Sequence, residues 1–141
     1  MPFELTDLHT SADIGLVATG KNRFELFNDA AIGLTSIMVD IDGLMENRER
    51  PVSLRGENFE DLFFQWLSEI IFIKDAERFL MKRAEINFEK EGQAALQGRL
   101  FGDSIDPKRH ILKTDVKAVT FYKFRVEKMG EIWKAEVVFD L

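Results

Sequence analysis

The sequence predicts an α+β fold, with two helices packed on a mostly antiparallel sheet of about six strands. Apolar residues recur at helical spacing in two segments of the first half. The second half instead alternates with a period of two, in stretches divided by short turn sequences. Helices that come early and hairpins that come late favour separate layers over repeated βαβ units. The 141 residues suffice for one core. No Pro-, Ser- or Gly-rich linker interrupts them, so a single domain over 1–141 is expected.

In chain order, "ADIGLVATG" (12–20) reads as a short strand ending at Gly20. "NRFELFNDAAIGLTSIMV" (22–39) follows, with Phe24, Phe27, Ala31, Leu34 and Met38 at helical spacing. Asn22 with Glu25 forms an N-terminal capping pair, and Gly33, which costs a helix about 1 kcal/mol against Ala, marks close packing. After the acidic connection "DIDGLMENRER", Pro51 opens a strand, "PVSLRG". Asn58 caps a second helix over 59–73, with Asp61 in its acidic first turn. Leu62, Trp66, Glu69 and Ile70, flanked by Phe63, Leu67 and Ile71, give it a face broad enough to pack on a sheet. "FLMKRAEINFEK" and "AALQGRLF" flank "EGQ" as one hairpin. The turn-rich "GDSIDPKRHILKTD" leads to a second hairpin, "VKAVTFYKFRVEK", "MGE" and "IWKAEVVFDL", with Val116, Ala118, Thr120 and Tyr122 expected on one face.

Composition excludes several functions. A net charge of −6 disfavours non-specific nucleic-acid binding, so any link to RNA is expected to be indirect or local. The longest apolar runs, such as "IIFI", are far short of a membrane span, and "MPFELTDLHT" lacks the pattern of a signal peptide. Without cysteine there is neither a disulfide framework nor a thiolate metal site, which suits a cytoplasmic protein. No Gly-rich phosphate loop and no GxSxG elbow is present.

The scarce chemistry sits in a few places. His9 precedes Asp13 in "HTSAD", which reads either as a hydrogen-bonded turn or as a metal ligand, Asp13, oriented by His9. His110 lies in the most basic segment, as a solvated loop residue or a contact to phosphate or partner. The chain ends "EVVFDL", so Asp140 stands one residue from the terminal carboxylate of Leu141. Like charges that close are either fully solvated or await a cation.

Five segments together resemble the archease family over nearly the whole chain: "FELTDLHTSADIGL", "AAIGLTSIMVD", "GENFEDLFFQWLSEIIF", "FGDSIDPKRHILKTDVKAVTFY" and "VVFDL". The resemblance implies a small α+β activator, itself not an enzyme. Its partner is the GTP- and metal-dependent tRNA-splicing RNA ligase, whose guanylylation and repeated turnover it promotes. It further implies a divalent cation, calcium first with Mg²⁺ or Mn²⁺ as alternatives, held by Asp13, Asp140 and the carboxylate of Leu141. An oxygen-only, anionic donor set suits such hard ions. Lys117 matches the lysine that the family uses in activation. Two departures stand out. "HTSAD" carries one residue more than the family's His-Thr-Ala-Asp, which leaves Asp13 better placed than His9. "KAVTFY" has Phe121 and Tyr122 where the family often has Tyr-His. The rival readings are a metal-dependent phosphoester hydrolase, with His9 or Asp115 as its base, and a chaperone-like module clamped by calcium.

Overall fold

Both helices bury the apolar faces expected of them, but each touches strands of two sheets rather than one. The structure, a computed structural model, describes residues 3–7, 12–90 and 94–141, with only the backbone of Asp7. In chain order the elements are β1 (Phe3–Asp7), β2 (Asp13–Gly20), α1 (Arg23–Met38), β3 (Arg48–Arg55), α2 (Phe59–Glu77), β4 (Phe79–Phe88), β5 (Ala95–Ser104), β6 (Ala118–Met129) and β7 (Ile132–Asp140). A 3-10 turn, Ile41–Gly43, lies between α1 and β3. The strands form two antiparallel sheets, of order β1-β2-β7-β6 and β3-β5-β4.

The two helices begin with the same device. Asn22 accepts a hydrogen bond from the Glu25 N–H at 2.8 Å, while Glu25 accepts from the Lys21 N–H at 2.7 Å. In α2, Asn58 accepts from the Asp61 N–H and Asp61 from the Glu57 N–H, both at 2.8 Å. Each pair satisfies backbone donors that a helix start leaves unpaired and places a carboxylate in its positive first turn. The helices meet through Trp66, whose indole N–H donates to the Phe27 carbonyl at 2.9 Å. Phe27 packs edge-on against Phe63, with ring centres 5.1 Å apart. One apolar cluster joins these residues to Leu16, Val137 and Phe139 of one sheet and to Leu96 and Leu100 of the other. Gly33 faces β2 at close range: a Cβ there would stand 2.8 Å from Leu16 Cδ1 and 3.1 Å from the Phe3 ring.

Beyond the division into two sheets, the structure departs from the sequence reading in several places, and α2 runs on to Glu77. β1 is not expected from the sequence; it pairs along the outer edge of β2. β3 starts at Arg48, and Pro51 lies inside it; an edge strand tolerates the missing N–H. In β6 the buried residues are Val119 and Val126, whereas Ala118 and Tyr122 are exposed. From Thr120 opposite Val138 to Arg125 opposite Glu136, β6 takes five steps where β7 takes two. The expected alternation already fails ahead of these extra residues, since Val116 is buried before β6 begins and Val119, not Ala118, is buried within it. The residues between Thr120 and Arg125 bulge out, with Lys123 in the left-handed region at φ 53°.

Candidate metal centre

The centre grows out of the pairing of β2 with β7. Ile14 stands opposite Phe139 and Leu16 opposite Val137 on the core side. Strand side chains alternate, so Asp13 and Asp140, which are opposite each other in the same register, share the other face. One step beyond them the Leu141 N–H donates to the Ala12 carbonyl at 2.8 Å. Ladder hydrogen bonds alternate in an antiparallel pair. Asp13 and Asp140 are therefore a non-hydrogen-bonded pair, whose Cα atoms lie about 4.5 Å apart and whose side chains approach most closely. Leu141 packs its side chain against the core. Held there and by its N–H, Leu141 stays at the same end of the sheet. Both aspartates are half-buried.

The two aspartates thus stand together with no counter-charge among the described residues. Among the described residues, no Lys, Arg or His forms an ion pair with Asp13, Asp140 or the terminus. Nor, among those residues, do three His, Cys, Asp or Glu side chains converge anywhere. The donor set here is two aspartates plus main-chain oxygen, which fits a hard divalent cation and not a soft one.

The same end of the sheet carries the segment before β6. The Lys117 N–H donates to the Asp140 carbonyl at 2.8 Å, and Ala118 stands opposite Asp140 on the side away from Asp13. Lys117 itself is exposed.

The model of the Archease protein family (MTH1598/TM1083) matches residues 3–141. The chain belongs to the archease family. It is 35% identical to the archease of Archaeoglobus fulgidus over 141 residues, all of both chains. Among solved structures it is similar to Methanobacterium thermoautotrophicum protein 1598, with a TM-score of 0.81 and 30% identity over 99% of each chain. It shares its fold with an archease of Thermotoga maritima, described as a possible chaperone. There the TM-score is 0.64 and the identity 23%, over 94% of this chain and 93% of that one.

The sequence also singles out two histidines. His9 falls outside the described residues. His110 is neither a solvated loop residue nor placed to contact phosphate, because its ring is buried and both nitrogens are engaged. Nδ1 accepts from the Asp106 N–H at 3.0 Å, which puts the proton on Nε2, 3.0 Å from Asp103. Asp103 is fully buried and also accepts from Arg109 at 2.9 and 3.1 Å and from the Met45 N–H at 3.1 Å. The Arg109 guanidinium, with Met45 N–H and His110 adding to it, holds the Asp103 carboxyl far below the usual carboxylate range despite burial. This cluster ties the end of β5 to the loop before β3.

The sequence reading missed Lys74. It is only 7% exposed, in the last turn of α2, and donates to Asp115 at 2.5 Å and the Val116 carbonyl at 3.0 Å. A signal was present, since Leu67, Ile70, Ile71 and Lys74 share one helical face. Phe121 and Tyr122 are exposed on the bulge, where Phe121 stacks on Phe64 with ring centres 4.2 Å apart. Phe63 and Trp66 are core.

Proposed function

We propose that this archease is a non-catalytic, divalent-cation-binding activator of the GTP-dependent tRNA-splicing RNA ligase. It acts on ligase guanylylation and touches RNA only through that partner. The observation that carries the reading is the directly opposed Asp13–Asp140 pair beside the chain terminus, without a basic partner among the described residues. Asp13, Asp140 and the Leu141 carboxylate would hold the ion, with calcium the first candidate. When bound, a divalent cation supplies positive charge that offsets the negative charge building on phosphate oxygens during nucleotidyl transfer. Lys117, exposed at the same end of the sheet, offers a second positive contact to a phosphate or to an acidic residue of the ligase.

The hydrolase reading loses one of its two candidate bases. The Asp115 carboxylate is engaged in an ion pair with Lys74 and is not free to face a substrate. The experiment is to mix the protein with its cognate ligase and GTP and to follow ligase–GMP formation. Wild type is expected to accelerate it, and Asp140→Ala to abolish the acceleration with the fold intact by circular dichroism. An unchanged rate with wild type would overturn the reading. Calcium that stabilises the protein, with no stimulation in either chelated or loaded form, would favour the chaperone-like module instead.

A further inference from the structure

The segment that delivers Lys117 to the end of the sheet has almost no secondary structure of its own. One isolated bridge, Leu112 to Val39, begins it. Its order comes from successive anchors on other elements. The N–H groups of Lys113 and Thr114 donate to the Met38 and Ile37 carbonyls at 2.9 and 3.1 Å, at the C-terminal end of α1. Those carbonyls would otherwise be orphaned, and no basic residue stands in the last turn of α1. Val116 is fully buried in the core, and the Lys117 N–H reaches the Asp140 carbonyl at 2.8 Å.

Between these anchors stands Lys74. Its ammonium has three donors, and three acceptors surround it: Asp115 at 2.5 Å, Asp75 at 2.6 Å and the Val116 carbonyl at 3.0 Å. Burial alone pulls the ammonium's pKa down. The hydrogen bonds and charges of Asp115 and Asp75 more than offset this and raise it. A lysine serving only the C-terminal dipole of α2 would do so from the surface. This one is buried, and two of its three bonds go to consecutive residues of a different segment. Such a fully satisfied buried charge fixes one geometry, because any shift of the segment leaves a bond unmade.

We propose that Lys74 is a positioning residue for Lys117, its buried ammonium fixing the main chain at Asp115 and Val116 so that Lys117 is presented beside Asp140. The role rests on the activator reading for Lys117 but acts through main-chain geometry that is measurable without any ligase. The Asp13–Asp140 pair is set by β2 and β7, so Lys74 governs the lysine and not the carboxylates.

The experiment compares Lys74→Met, which keeps the apolar stem, with wild type. In amide hydrogen exchange the Lys117 N–H is expected to exchange about tenfold faster, while the Leu141 N–H on the β2 side is unchanged. Calcium affinity by titration calorimetry stays within about twofold. Stimulated ligase–GMP formation falls about tenfold, and Lys74→Met with Lys117→Ala is no slower than Lys117→Ala alone, the signature of two residues acting as one unit. Asp115→Ala, which opens the clamp from its exposed side and leaves the core whole, should speed Lys117 exchange in the same direction should Lys74→Met fail to fold. Unchanged Lys117 exchange in the folded variants, or losses that multiply in the double variant, overturn the proposal. A wild-type protein that stimulates no ligase sinks the activator reading instead, and the exchange result still decides what Lys74 does.

Discussion

Replacing Asp140 by Asn should stabilise the metal-free protein and at the same time remove its response to calcium. The change is nearly isosteric, and the Asp140 carbonyl that accepts from Lys117 is untouched. In a non-hydrogen-bonded antiparallel pair the Cβ atoms of opposed residues lie about 5 Å apart. Two unit charges at about 5 Å repel by about 0.8 kcal/mol in bulk water and about 3 kcal/mol at an effective dielectric of 20. Asp13 and Asp140 are half-buried, so a value near the lower end, about 1 kcal/mol, applies. For a chain of this size that is a rise of about 3 °C in Tm. Calcium is expected to act in the opposite sense. Bound as proposed, at a hundredfold excess over Kd it should add about 2.7 kcal/mol to wild type, most of which the variant should forfeit. Thermal unfolding in EDTA and again in millimolar calcium reads both effects. The order of the two proteins is expected to reverse: Asp140→Asn melts above wild type in chelator and below it in calcium. Extending the chain past Leu141 should weaken the calcium effect without the gain in chelator. An Asp140→Asn protein less stable than wild type in EDTA would refute the reasoning, as would equal stabilisation of both by calcium.

Acid should unfold the protein partly through Asp103. Its folded pKa is depressed, so its contribution is complete above the unfolded value of about 3.9 and is lost as pH falls below it. Urea midpoints should therefore drop steeply below about pH 4 in wild type. Asp103→Asn should start about 3 kcal/mol lower at pH 6 and give a flatter profile in acid, since that pair no longer titrates. Gly33→Ala should destabilise despite a helix-propensity gain of about 1 kcal/mol, because the new methyl meets Leu16 and Phe3 in a packed core. A higher urea midpoint for that variant would count against close packing as the reason for glycine. Trp66→Phe leaves the Phe27 carbonyl without its indole donor and should lower stability by about 2 kcal/mol, read by the same midpoints.

Both helices could be read because their signals are local. Asn22 and Asn58 with an acid three residues on mark their starts, and the face from Leu62 to Ile71 marks what is buried. β1 could not, since five residues alternate too briefly to stand out, and a strand there requires the free edge of β2. The β6 bulge depends on a count between partners, which one strand's pattern does not hold. His110 misled for a similar reason. "DPKRH" is charged and turn-like, yet the Asp106 N–H and Asp103 draw the ring inward, and Asp103 lies on another element.

The carboxylate site is the extreme case of this dependence. Asp13 and Asp140 are ordinary in their own surroundings and come from opposite ends of the polypeptide. Only the register of β2 with β7 gives them a joint meaning, and a slip of one residue would send one of them to the other face. What fixes that register lies on the core side, where Ile14 meets Phe139 and Leu16 meets Val137. Burying a side chain such as Phe139 or Leu16 contributes about 2 kcal/mol each, against about 1 kcal/mol of repulsion between the aspartates. Packing therefore wins without help from an ion. The two carboxylates are held together by the hydrophobic pairs behind them, so a cation binding as proposed would meet donors already in place.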